Sequence, residues 1–96
     1  MEPFLVGVSH HSAPLAMRER LAFDPAQRDA LLAELAPELP EAAAIVTCNR
    51  TELYGLGAAG PALAALARHA GLTSVELAPY VERECGAAAA RHLFRV

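Results

Sequence analysis

The densest chemistry in the chain sits in one run, Thr47-Cys48-Asn49-Arg50-Thr51-Glu52. A hydrophobic stretch delivers a thiol to its own C-terminal end, and polar side chains and an arginine follow at once. Only the thiolate is a good nucleophile. A free thiol ionises near ~8.5, so a neighbouring positive charge raises its reactive fraction. Arg50 can supply that charge, or it can grip a carboxylate through a two-pronged hydrogen bond. It cannot do both fully. The same residues admit a plainer reading. Cys48 is then a small buried apolar residue, Asn49 and Thr51 are turn residues, and Arg50 is a solvated surface charge.

The other reactive types are scattered. Cys85 has no motif around it and reads as structural. His10 and His11 read as turn or strand-end residues lining a pocket. His69 falls late in a helix, where it meets the C-terminal end of the helix dipole. His92, taken alone, is a helix histidine that caps or solvates. A metal site from Cys48 with His10 and His92 is disfavoured. No helix shows paired ligand spacing, and adjacent histidines on a strand point to opposite faces. No metal is expected.

These residues need elements to hold them. Phe4 to His10 is an apolar run rich in β-formers and predicts a buried strand. Pro14 suits the first turn of a short helix reaching about Leu21, capped by Ser12 or Ala13. Asp24-Pro25-Ala26-Gln27 opens a longer helix with a capping box; Leu31, Leu32 and Leu35 form its apolar stripe and Pro37 closes it. Ala42 to Thr47 is a second strand, and it carries Cys48 at its end. Thr51 to Gly57 is a third, with Leu53 and Leu56 on opposite faces. Gly60-Pro61 opens another helix, with Leu63, Leu66, Ala67 and Ala70 on one face and Gly71 as its stop. Leu77 to Glu84 is expected as a fourth strand, with Pro79 suiting an edge or a strand start. Ala87 onward is a final helix with Leu93, Phe94 and Val96 apolar. The order β-α-β-β-α-β plus a helix predicts an α+β, ferredoxin-like split βαβ sandwich. Two helices lie on one face of a four-stranded antiparallel sheet, and the start of a further helix follows.

Length and composition bound what this fold does. Ninety-six residues make one small domain, 1–96. The net charge is −3, which argues against a generic nucleic-acid clamp but not against contact with one end of an RNA. All 8 basic residues are arginine, so lysine Schiff-base chemistry is excluded. Two cysteines are too few for a disulfide framework, although one bridge is formally open. No apolar run reaches the ~18 residues of a membrane span, and the N-terminus lacks the basic start of a signal peptide. A soluble, cytoplasmic protein with reduced thiols is expected. The last helix has no stop signal, which suggests a piece of something longer.

Three segments carry a resemblance. Thr47-Cys48-Asn49-Arg50-Thr51-Glu52-Leu53-Tyr54 resembles the active-site segment of the glutamyl-tRNA reductase family. Gly7-Val8-Ser9-His10-His11-Ser12-Ala13-Pro14-Leu15, with Arg18-Glu19, resembles that family's opening motif. Arg91-His92-Leu93-Phe94-Arg95-Val96 resembles the start of its next helical segment. The resemblance implies a catalytic N-terminal domain. Its cysteine, matched by Cys48, takes glutamate from glutamyl-tRNA as a thioester. The full enzyme then reduces this with NADPH to glutamate-1-semialdehyde, for tetrapyrrole synthesis. It implies substrate binding by Thr47, Cys48, Asn49 and Arg50, with Arg50 on the glutamyl carboxylate, and a role for His92 in orientation or proton transfer. It also implies a homodimer in the full-length enzyme and an association with the next enzyme, glutamate-1-semialdehyde aminomutase.

One departure is plain. No Gly-x-Gly-x-x-Gly follows a strand, and Gly55, Gly57 and Gly60 have the wrong spacing, so NADPH-binding and dimerisation domains are expected to be absent here. The competing reading is a non-catalytic ferredoxin-like module that binds a ligand or partner.

Overall fold

The computed structural model describes residues 2–94, with side chains to His92. The N-terminal apolar run becomes the centre of a sheet. β1 (Pro3–Ser9) lies between β3 (Arg50–Leu56) and β4 (Glu82–Cys85), and β2 (Ala43–Val46) flanks β3. The order β2-β3-β1-β4 is antiparallel throughout. It is the ferredoxin-like arrangement that the element order predicts. α1 (Leu15–Arg20) and α2 (Pro25–Leu35) precede β2, while α3 (Gly60–His69) and α4 (Ser74–Leu77) lie between β3 and β4. α5 (Ala87–Phe94) ends the described chain.

Alternation along the strands makes two faces. Phe4, Val6, Val8 and Leu53 point to the face covered by Leu31 and Leu35 of α2 and by Leu63 and Leu66 of α3. Leu5 and Tyr54 point the other way and pack with Ala89 of α5 and Ile45 of β2. β1 is thus covered on both sides, which is why it reads as a nearly unbroken apolar run.

The helix starts follow local chemistry. Asp24 accepts from the Gln27 amide at 2.7 Å, and Gln27 returns the bond to the Asp24 amide at 2.9 Å. Gly71 ends α3 at φ +73°, where a side chain would be strained.

Two expectations need correction. Leu77 to Tyr80 is not strand: Leu77 closes α4, and Ala78–Tyr80 forms a 3-10 turn with Pro79 inside it. The reason is a second capping box. Thr73 Oγ1 accepts from the Glu76 amide at 3.1 Å, and Glu76 accepts from the Thr73 amide at 2.9 Å. Ser12 does not cap α1, whose N-cap is Pro14; its hydroxyl instead accepts from the Ser9 amide at 3.0 Å. Cys85, read as structural, is a free thiol exposed on edge strand β4. The apolar positions Leu93, Phe94 and Val96 lie outside the described side chains.

Candidate active site

Register decides what meets on the α5 face. Ser9 pairs with Arg50, Gly7 with Glu52 and Leu5 with Tyr54; across β1, Gly7 pairs with Glu82 and Leu5 with Glu84. The α5 face therefore turns from apolar, at Leu5, to polar toward the end of β1. At that end a cleft of about 330 Å³ opens between the β2–β3 turn, the turn after β1 and α5. Thr47, Asn49 and Arg50 line one side, His10 and His11 another, and Glu52 and His92 meet at its base. A larger cavity of about 490 Å³ lies toward the other end of β1. Its lining is mostly apolar, with no histidine or thiol, so the smaller cleft is the chemical candidate.

Cys48 occupies the β2–β3 turn and is exposed, which removes the buried-apolar reading. The turn is held from both flanks. The Thr47 amide donates to the Arg50 carbonyl at 2.8 Å, and the His10 amide donates to the Asn49 carbonyl at 2.9 Å. The Asn49 amide donates to Thr47 Oγ1 at 3.3 Å. Cys48 thus stands between two residues that line the cleft.

Glu52 is the buried element of the site, at 2% exposure. Its Oε1 accepts from the Tyr54 hydroxyl at 2.9 Å and lies 3.5 Å from Arg50 Nε. Its Oε2 lies 3.0 Å from His92 Nε2. The other ring nitrogen of His92 is 3.6 Å from Glu84. Burial, and then the hydrogen bond to Glu52, hold the Tyr54 phenol well above its usual range. Gly7 makes room for this arrangement. A Cβ there would sit 2.3 Å from the Thr51 carbonyl oxygen and 3.0 Å from Glu52 Cγ. At the rim Ser9 donates to Glu82.

The sequence-predicted residues divide accordingly. Thr47, Asn49, Arg50 and His92 line one cleft, with Cys48 exposed on the turn between the first two. His10 and His11 lie in the turn after β1, rings 3.9 Å apart, and not on the strand. His69 lies in the last turn of α3, as expected, and also meets Glu34 at 3.5 Å. Cys85 pairs with Phe4 near the start of β1, the end opposite the cleft, so it is far from Cys48 and both thiols are free. Among the described residues no group of three His, Cys, Asp or Glu side chains is arranged to hold a metal ion. Glu52, Tyr54, Ser9, Glu82 and Glu84 received no role from sequence. Their signal was a shared period of two across three strands, which reads as a solvent face until a helix covers it.

A family model described as the N-terminal domain of glutamyl-tRNA(Glu) reductase matches residues 6–96. The chain belongs to that family. A solved structure, the glutamyl-tRNA reductase from Methanopyrus kandleri, is similar with a TM-score of 0.65 and 25% identity over 98% of this chain. The chain spans 21% of the length of that protein. In this glutamyl-tRNA reductase domain, the resembling segments come together in space. The opening motif supplies Gly7, Ser9 and the two histidines, the cysteine motif supplies Thr47 to Tyr54, and the last segment brings His92 over Glu52.

Proposed function

We propose that this chain is the catalytic domain of a glutamyl-tRNA reductase, an oxidoreductase of tetrapyrrole synthesis, and that Cys48 is its nucleophile. One observation carries the reading: an exposed thiol stands on a turn whose neighbours, Thr47, Asn49 and Arg50, line a cleft with His92 at its base. The Cys48 thiolate adds to the ester carbonyl of glutamyl-tRNA. The tetrahedral adduct collapses, a C–S bond replaces the ester C–O bond, and the tRNA hydroxyl leaves with a proton. A thioester is a better hydride acceptor than an ester, so covalent capture divides a hard step in two. Arg50, held on one side by Glu52, presents its guanidinium at the cleft for the glutamyl side-chain carboxylate. Thr47 and Asn49 offer hydrogen bonds beside it, and His92 orients the substrate or moves a proton.

The reductant is assigned to NADPH bound elsewhere in the enzyme. The residues present here do not fit a dinucleotide. The sheet is antiparallel and lacks the parallel strand–Gly-rich turn–helix unit that seats a pyrophosphate.

The test uses glutamyl-tRNA carrying radiolabelled glutamate. The label is expected to become bound to the wild-type chain in a bond cleaved by hydroxylamine, and not to Cys48→Ser. Equal labelling of both proteins overturns the role of Cys48. No labelling of a folded wild-type chain, together with glutamate-analogue binding that depends on Arg50, supports a binding module instead.

A further inference from the structure

We propose that Glu82 is a substrate-specificity residue: its carboxylate takes the α-ammonium group of the glutamyl ester, across the cleft from the Arg50 guanidinium that takes the side-chain carboxylate. This role rests on the function proposed above and adds a further contact in the same cleft.

Glutamyl-tRNA brings three groups to the cleft: the ester carbonyl, a side-chain carboxylate and a free α-amine. The amine is largely an ammonium below pH ~7.7. Cys48 and Arg50 account for the first two. An ammonium taken out of water without an acceptor is costly, so the third group needs a partner. Two carboxylates line the cleft, Glu52 and Glu82. Glu52 is already engaged, with Tyr54 and Arg50 at Oε1 and His92 at Oε2. Glu82 is not. Its Oε1 accepts from the Ser9 hydroxyl, and among the described residues it has no ion-pair partner. Ser9 is itself fixed, because its Oγ accepts from the His11 amide at 3.1 Å. The carboxylate is therefore held at one oxygen and available at the other.

Register sets the span. Arg50 lies opposite Ser9 on one side of β1, and Glu82 opposite Gly7 on the other. Ser9 and Gly7 are two apart, so Arg50 and Glu82 both stand on the α5 face. Two strand spacings put the backbones of β3 and β4 about 10 Å apart. An extended glutamyl group measures ~5 Å from amine to distal carboxyl carbon, a length that two side chains reaching over β1 can bracket. Opposite charges on the two walls match opposite charges at the two ends of the substrate. With Cys48 at the carbonyl, three contacts also fix the hand of the α-carbon.

The experiment titrates the 96-residue chain at pH ~6.5, followed by NMR, with two unreactive probes: glutamic acid α-amide, whose amine is free, and its N-acetyl derivative. Glu82→Gln keeps the side chain's shape and its acceptor for Ser9 but loses the charge. Wild type is expected to bind the free amine about tenfold or more tightly than the acetylated probe, the size of one charge-assisted hydrogen bond. Glu82→Gln should remove that preference and leave the acetylated probe unaffected. Weakening of both probes alike overturns the proposal, because that is what a merely structural carboxylate gives, and so does no change in either. Wild type without a preference for the free amine overturns it even where Glu82→Gln does not fold. Probe binding that depends on Glu82, in a wild-type chain that is never labelled at Cys48, keeps this contact and removes the thiol reading. Labelling that depends on Cys48 but not on Glu82 keeps the thiol reading and removes this contact.

Discussion

Tyr54 is the side chain whose environment most changes its own chemistry. It is 6% exposed, and its hydroxyl ends on a buried carboxylate, so loss of water and the neighbouring negative charge outweigh the opposing pull of Arg50 on an ionised phenolate. Its folded pKa is raised above the unfolded value of about 10. The sign follows. The contribution is fully present below that value and is lost as pH rises toward the folded pKa, because only the unfolded chain then releases the proton. With 2 tyrosines and no tryptophan, tyrosinate absorbance is easy to follow. The share from Tyr54 is expected only as the chain unfolds in alkali, and Tyr54→Phe should remove that coupled step. A Tyr54 signal in the folded chain near pH 10 contradicts it. At this scale the sequence was legible where chemistry is local. Cys48, Thr47, Asn49 and Arg50 share one turn. Glu52 was not, because a glutamate alternating with apolar residues on a strand looks solvated, and its partner His92 comes from α5, distant in sequence.

Among the elements, those with both a boundary signal and a period were read correctly. α2 has a reciprocal cap at Asp24 and Gln27 and an apolar stripe through Leu31 and Leu35. Asp24→Ala should cost about 1 kcal/mol, measured as a shift in the urea midpoint with an unchanged slope. No loss would mean that the packing of Leu31 and Leu35 alone sets the start of α2. The link from α2 to α3 adds little. Glu34 meets Arg68 and His69 in solvent, and the hydrogen bond from Arg68 holds its carboxyl below the usual range. α4 was misread although its signal was present. Thr73-Ser74-Val75-Glu76 has the spacing of a capping box, but the apolar pattern from Leu77 onward suggested a strand. Four residues are too few for periodicity to outvote such a run, whereas two reciprocal backbone caps do so physically.

For the whole molecule, the fold class followed from element order, but the site depended on a layer that the order does not place. The sheet could have carried α2 and α3 on one face and left Leu5, Tyr54 and Glu52 to water. Instead α5 crosses that face, with Ala89 at 1% exposure against Leu5 and Tyr54, and His92 reaches Glu52 from the same helix. Ala89 and His92 are three apart, so they lie on neighbouring positions of one helical face. Seating the apolar residue therefore seats the imidazole. Ala89→Glu forces a longer, charged side chain into the buried contact with Leu5 and Tyr54, and such burial costs about several kcal/mol unless the helix moves away. The helix is expected to yield. Phe4, Val6, Val8 and Leu53 face α2 and α3 and do not depend on it. Hydrogen exchange should then show rapid exchange of the α5 amides with β1 and β3 still protected. Protection lost evenly across sheet and helices would show instead that α5 is part of the cooperative core, and that the site and the fold are stabilised as one unit.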